Sequence, residues 1–121
     1  MKTNFARIAF FLAFLPLESP AQADLSKENL AFWKDQAKPL LKENCWKCHG
    51  AGKKIKGDLI LTTREGILTG GEIGPAVDLA KPEESLILEM ISYKDDDHQM
   101  PPIGKLEDEQ IATLAEWIKR G

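Results

Sequence analysis

Apolar side chains recur at helical spacing in three segments of the chain, approximately residues 27–44, 82–91 and 107–119. The repeating positions are Leu30, Trp33, Ala37, Leu40 and Leu41, then Leu86, Ile87, Met90 and Ile91, and finally Ile111, Leu114, Ala115 and Ile118. Residues three and four positions apart share one side of a helix. No strand period extends over a useful length, so the pattern predicts an all-α fold.

Local signals indicate how these helices begin and pack. Ser26 is a suitable N-cap for the first helix. Pro39 interrupts its apolar face, so the helix is expected either to kink there or to restart with Pro39 as its first residue. Residues 63–68 can form one further helical turn. Trp33 and Trp117 are expected to pack where the first and last helices cross.

The first residues have the pattern of an export signal. Two bases precede the apolar run 8–15, a proline ends that run, and residues 21–23 form a small-x-small cleavage pattern. We expect residues 1–23 to be a secretory signal peptide and residues 24–121 to be a single domain. The run is short for a membrane span, and a retained membrane anchor is the alternative.

The charge of the chain limits its partners. The formal net charge of −3 becomes −4 when the leader is removed with its two bases and one acid. An acidic surface argues against nucleic-acid binding and gives weak support to a partner with a positive docking face.

Both cysteines of the chain lie in a Cys-x-x-Cys-His motif at residues 45–49. This spacing is typical of c-type haem attachment, in which Cys45 and Cys48 each bond a vinyl group and His49 becomes the proximal iron ligand. A disulfide, a thioredoxin-like pair and half of a zinc site are the alternatives. The disulfide loop would stabilise little, no βαβ pattern is present, and only His98 remains as a further zinc ligand.

A covalent haem would also explain the long segments that show no helical period. A buried porphyrin would hold such loops in place and supply apolar area that one small domain lacks, so we expect the protein without haem to be poorly folded. Such haem is normally attached on the oxidising side of a bacterial membrane. The motif and the leader together predict a periplasmic protein.

The distal position of the iron has few candidate ligands. Met100 lies in a polar loop stiffened by two prolines, whereas Met90 lies among aliphatic residues at helical spacing and is assigned to the core. We therefore predict Met100 as the distal ligand. His98 is the alternative, and bis-histidine ligation would lower the reduction potential.

Two further residues are candidates for contacts around the haem. A proximal histidine needs an acceptor for its second ring proton, and the rigid Gly74-Pro75 segment, with Pro75, is the candidate. Arg64 is a candidate partner for a haem propionate, with an ordinary surface role as the alternative.

Several blocks of sequence together resemble one family. They are residues 45–50, Lys56-Gly57-Asp58-Leu59, Thr63-Arg64-Glu65-Gly66, Gly70-Gly71, Gly74-Pro75-Ala76-Val77, Lys81-Pro82-Glu83-Glu84-Ser85-Leu86, Met100-Pro101-Pro102, Gly104-Lys105-Leu106 and Trp117-Ile118. In this order they resemble the planctomycete-type cytochrome c domain. The resemblance implies a small class I-like cytochrome c fold, haem on Cys45 and Cys48, His49 as proximal ligand and Met100 as distal ligand.

Three classes of function are compatible with these features. A monohaem electron carrier needs two filled axial positions, which His49 and Met100 would provide. A haem-based sensor or a redox partner domain of a larger assembly would need Met100 to be displaced. A peroxidase-like enzyme would need an open position with a nearby acid or base, for which His98 and Asp97 are the candidates. We expect a one-electron carrier that meets redox proteins and is not an enzyme.

Overall fold

The computed structural model describes residues 26–121 of the chain. Its helices are α1 (Lys27–Phe32), α2 (Lys38–Asn44), α3 (Trp46–His49), α4 (Arg64–Thr69), α5 (Leu86–Ile91) and α6 (Asp108–Arg120), with a π-helical turn at Trp33–Ala37 and 3₁₀ turns at Lys56–Asp58 and Pro82–Glu84. This part of the chain has no strand beyond a single bridge between Gly71 and Gly74. The predicted all-α class is confirmed, and the predicted signal peptide at residues 1–23 lies outside the described residues.

The first helical segment continues through Pro39 by changing its hydrogen-bond pattern. Ser26 caps α1 by accepting the backbone N–H of Asn29 at 3.3 Å, as predicted. Pro39 has no N–H to donate, and just before it the chain forms a π turn in which the Lys38 N–H bonds to the Trp33 carbonyl, five residues back. α2 then begins with Pro39 in its first turn. The helix does not restart with Pro39 as its first residue, because α2 begins at Lys38 and the backbone of Ala37 and Lys38 stays helical.

An aromatic contact joins this segment to α6. The ring centroids of Trp33 and Trp117 lie 5.3 Å apart with their planes inclined at 31°, which confirms the predicted contact. The Arg120 guanidinium carbon lies 4.3 Å from the centroid of the Phe32 ring. The Asn29 side chain also donates to the Arg120 carbonyl at 3.3 Å. These contacts hold the first and last described helices together.

The hydrophobic core combines helical and loop residues. Its members are Ala37, Leu41, Leu61, Ile67, Ala76, Val77, Ile87, Ile91, Leu106, Leu114 and Ile118. The helical positions among them follow the predicted faces of α2, α5 and α6. Leu61, Ala76 and Val77 come from loops, which shows that the segments without helical period are packed as closely as the helices.

The segment 82–91 is divided, although its sequence predicts one helix beginning at Pro82. The 3₁₀ turn at Pro82–Glu84 ends at Ser85, whose φ of −58° and ψ of 132° are not helical. Ser85 is 1 % exposed, and its Oγ accepts the N–H of Asp78 at 3.0 Å. Because Ser85 anchors this loop, α5 starts afresh at Leu86.

Glycines allow the loops after α3 and α4 to meet. A Cβ on Gly71 would lie 2.2 Å from the Gly57 carbonyl oxygen, so only glycine permits this approach. The same oxygen accepts the N–H of Glu72 at 2.9 Å. Gly57 itself has φ of 61°, in the left-handed region that favours glycine. The two loops together form one side of a cleft beside α3.

Candidate functional site

A cleft brings together the donor side chains that the sequence singled out. Its lining includes Cys45, Cys48, His49, Met90 and Met100, with Leu59, Leu61, Ile73, Ala76, Leu86, Ile87, Ile91, Pro101 and Pro102 among its apolar residues. The cavity volume of the cleft, without the open solvent at its mouth, is about 230 Å³. This lies below the range of about 300–1,000 Å³ that is usual for ligand pockets, so the cleft is open to one side rather than enclosed.

The Cys-x-x-Cys-His motif forms one tight helical turn. The backbone N–H groups of Cys48 and His49 both donate to the Cys45 carbonyl, at 3.2 and 2.9 Å. Positions three and four residues after Cys45 therefore return to the side of α3 on which Cys45 lies. Both thiols are free. Local helix geometry is enough to present two thiols and an imidazole to the same cleft.

The environment of the motif does not favour a zinc site. Burial, with a further contribution from the nearby Cys48, raises the pKa of the Cys45 thiol to about 11. Burial thus makes the thiolate form, which metal binding requires, more costly at Cys45 than at an exposed cysteine. Within residues 26–121, no group of three or more His, Cys, Asp or Glu side chains is arranged to hold a metal ion.

The Lys56 carbonyl is the hydrogen-bond partner of His49. It lies 3.0 Å from the imidazole Nδ1, which favours the tautomer with its proton on Nδ1 and leaves Nε2 free to bind iron. Our prediction of the Gly74-Pro75 segment as this partner is corrected here. The Gly74 carbonyl accepts the N–H of Gly71 at 3.1 Å instead, and Pro75 is exposed and does not line the cleft.

Trp46, to which the sequence analysis assigned no role, fixes the position of α3. Its indole Nε1–H donates to the Leu61 carbonyl at 3.0 Å. In return, the Leu61 N–H donates to the His49 carbonyl at 2.7 Å. The sequence signal for this role is the large aromatic hydrogen-bond donor that lies between the two cysteines. These paired bonds join α3 to the loop that follows the Lys56–Asp58 turn.

Met100 reaches the cleft from the loop that follows α5. Its backbone N–H donates to the Met90 carbonyl at 3.1 Å, which ties this loop to the end of the helix. His98, the alternative ligand, does not line the cleft. Its half-exposed ring has Nδ1 2.7 Å from Asp95 Oδ2, and this hydrogen bond and the Asp95 charge raise the pKa of His98.

Met90 is not the core residue that its helical spacing predicts. It is partly buried and lines the same cleft as Met100. The apolar residues of α5 lie on two sides of the helix. Ile87 and Ile91 are buried in the core, whereas Leu86 and Met90 are only partly buried. The cleft is therefore bordered by two thioethers.

Arg64, the candidate partner for a haem propionate, does not line this cleft. Its Nη1 donates to the Gly121 carbonyl at 3.0 Å. Arg64 lies at the start of α4 and lines a second cleft together with Trp33 and Trp117. The first turn of α4 thus places this guanidinium against the carbonyl of Gly121, directly after α6.

Comparison with protein families agrees with this site. The family described as Planctomycete cytochrome C matches residues 45–104. Residues 45–104 form a domain of the planctomycete cytochrome c family. The matched part of this cytochrome includes the Cys-x-x-Cys-His turn, Lys56 and Met100, and so covers both sides of the cleft. No curated protein and no solved structure matches the chain.

The family is that of c-type cytochromes, which carry haem c and are typically extracytoplasmic. No helix within residues 26–121 is long and apolar enough to cross a membrane. The residues around the cleft fit a haem c, because two free thiols, one imidazole and a thioether border a largely apolar space.

Proposed function

We propose that this cytochrome is an exported monohaem protein that transfers one electron at a time between redox proteins. The observation that carries the proposal is the convergence of Cys45, Cys48, His49 and Met100 on a single cleft. The first three residues come from one helical turn, and Met100 comes from a loop about fifty residues later in the chain. This donor set matches the needs of one haem c with histidine and methionine as axial ligands.

Each of these residues has a distinct role in the proposal. Cys45 and Cys48 would form the two thioether bonds, and His49 would bind the iron through Nε2. The Lys56 carbonyl, 3.0 Å from Nδ1, holds the plane of the imidazole and increases its basicity. Met100 would supply the distal sulfur. The bound haem supplies an iron that changes its charge by one electron.

The surroundings of the cleft favour a carrier over an enzyme. The candidate acid–base residues His98 and Asp97 are exposed and do not line the cleft. The apolar lining, including Leu61 and Ile87, limits the water that must reorganise when the charge of the iron changes. A sensor would need Met100 to leave, whereas its backbone is bonded to α5.

The proposed location is the periplasm, where the leader at residues 1–23 would deliver the chain. The partners would be redox proteins, with a positive docking face matching the net charge of −4 after cleavage. Fractionation of a bacterial host that attaches haem c, with mass spectrometry of the mature chain, tests this location. Haem-bearing protein with its leader intact in the membrane fraction would contradict it.

Optical spectroscopy of the mature protein tests the proposed function. A pyridine haemochrome assay should find one covalent haem per chain. The reduced protein should show a sharp α band, and the oxidised protein should show the weak far-red band that arises from sulfur–iron ligation. Covalent haem without the far-red band would contradict Met100 ligation and favour a sensor or an enzyme. Absence of haem in a competent host would contradict the whole proposal.

A further inference from the structure

Tyr93 has a backbone conformation that is unusual for its residue type. Its φ of 58° lies in the left-handed region. Tyr93 follows Ser92, the C-cap of α5, and therefore occupies the position at which helices commonly end with glycine. A bulky side chain is strained there, because its Cβ crowds the backbone.

Strain of this kind persists only where the surrounding structure holds it. The other non-glycine residue with positive φ in the described part of the chain is Asp58, whose short polar side chain tolerates this region. Tyr93 has no such local explanation, so contacts of its side chain must offset the strain.

The contact of Tyr93 is with the loop that carries Met100. The Tyr93 hydroxyl donates to the carbonyl oxygen of Pro101. Pro101 is buried and directly follows Met100. One residue earlier in the loop, the Met100 N–H donates to the Met90 carbonyl at 3.1 Å. The backbone is therefore tied to the end of α5 both at Met100 and immediately after it.

We infer that Tyr93 is a positioning residue for the distal ligand, because its hydroxyl holds the Pro101 carbonyl and so keeps the Met100 thioether at the cleft. This inference rests on the proposed function, in which Met100 binds the iron. A glycine would satisfy the backbone at position 93 better. It would leave the Pro101 carbonyl bonded only to the Gly104 N–H at 3.3 Å, within the loop itself, and the Met90 bond would then be the backbone tie to α5. The strained φ brings the tyrosine hydroxyl to the loop.

Loss of the hydroxyl should change how firmly the sulfur is held, while the rest of the fold is kept. Tyr93→Phe retains the ring and removes only the hydrogen bond to Pro101. Met100 would leave the iron more often, so an added ligand should compete better. One hydrogen bond of ordinary strength corresponds to a roughly two- to tenfold change in apparent affinity.

The test uses the oxidised, haem-bearing protein and imidazole as the competing ligand. Tyr93→Phe should bind imidazole roughly two- to tenfold more tightly and lose its far-red band at correspondingly lower imidazole concentration. Ser92→Ala is the matched control. It removes a neighbouring hydroxyl, which donates to the Glu89 carbonyl at 2.6 Å and makes no hydrogen bond to the Met100 loop. Its imidazole affinity should equal that of the wild type.

Amide hydrogen exchange gives a second readout. The Met100 N–H should exchange faster in Tyr93→Phe than in the wild type, and Ser92→Ala should leave it unchanged. If Tyr93→Phe does not fold, Tyr93→Gly replaces it, because glycine adopts the observed φ without strain and also lacks the hydroxyl. Tyr93→Gly should likewise bind imidazole more tightly than the wild type.

Two results would overturn the inference. One is a wild-type imidazole affinity in the variants that lack the Tyr93 hydroxyl, and the other is an equal change in Ser92→Ala. Met100→Ala separates this failure from that of the proposed function. If Met100→Ala keeps the far-red band, Met100 is not the ligand and both proposals fail. If it loses the band while Tyr93→Phe behaves as wild type, only the role of Tyr93 is wrong.

Discussion

The Nδ1 atom of His49 lies 3.0 Å from the carbonyl oxygen of Lys56, seven residues further along the chain. The bond depends on the turn at Lys56–Asp58, in which Gly57 has φ of 61° and Asp58 has φ of 51°. Two successive residues with positive φ make a tight reversal, and glycine accommodates it without strain. The imidazole of His49, the proposed proximal ligand, is thus oriented by a loop that depends on Gly57.

Gly57→Ala is expected to lower the free energy of unfolding of the haem-bearing protein by about 1 kcal/mol. The added methyl group has open space around it, so the cost arises from the left-handed backbone. Denaturant titration measures the change. Gly52→Ala is the control, since its Cβ also meets open space and its φ is not in the left-handed region. Equal effects of the two substitutions would contradict the role of φ at Gly57.

Replacement of both thiols should abolish covalent haem attachment. In Cys45→Ala combined with Cys48→Ala, the imidazole and the thioether remain, but no side chain is left to bond a vinyl group. Acidified-solvent extraction followed by mass spectrometry should show a chain without haem mass. A chain that retains haem after extraction would disprove attachment at these positions.

Met100→Ala is expected to retain covalent haem and to lose the far-red sulfur–iron band. Removal of the distal sulfur opens the sixth position, so the oxidised iron becomes high-spin and binds added imidazole or azide. Met90→Ala is a matched control, because Met90 lines the same cleft from α5. It should keep the band. If Met90→Ala loses the band and Met100→Ala keeps it, Met90 is the distal ligand and Met100 is not.

His98→Asn gives a separate check on the distal ligand. His98 is exposed, bonds to Asp95 and does not line the cleft. Its replacement should therefore leave the far-red band and the low-spin spectrum unchanged. A change of spin state in this variant would favour bis-histidine ligation, the alternative that the sequence left open.

Asp95 should make stability depend on acid pH. The hydrogen bond from His98, aided by the Asp97 N–H, lowers the pKa of Asp95 below its ordinary 3.8. A carboxyl whose pKa is lower in the folded state stabilises the fold above its unfolded pKa, and this contribution disappears as pH falls through the folded value. Asp95→Asn should therefore be less stable than the wild type at pH 6.

The difference between Asp95→Asn and the wild type should shrink progressively below pH 4. Denaturant titrations at pH 6, 4 and 3 measure it. Because the pair is exposed, added salt should also reduce it. Asp96→Asn removes the same charge from the neighbouring position without breaking the bond to His98, and serves as the control. If the stability difference between Asp95→Asn and the wild type grows towards acid pH, the pKa of Asp95 is not lowered in the folded protein.

The sequence alone determined the helical class and the Cys-x-x-Cys-His spacing, and it favoured Met100 as the candidate distal ligand. Each depends on spacing over a few residues. Helical periods identify the faces of α2, α5 and α6, and the Cys-x-x-Cys-His spacing places three donors on one turn. The proline-bounded loop distinguished Met100 from Met90, although both methionines then proved to line the cleft.

Only the tertiary structure decided which backbone groups hold these donors. His49 bonds to the carbonyl of Lys56, Trp46 to that of Leu61, Arg64 to that of Gly121 and Tyr93 to that of Pro101. Every residue carries a similar carbonyl oxygen, so residue identity does not indicate which one will be an acceptor. Its position depends on how distant segments pack, and that is why the sequence did not identify Lys56 as the partner of His49, Gly121 as the partner of Arg64 or the contact of Tyr93.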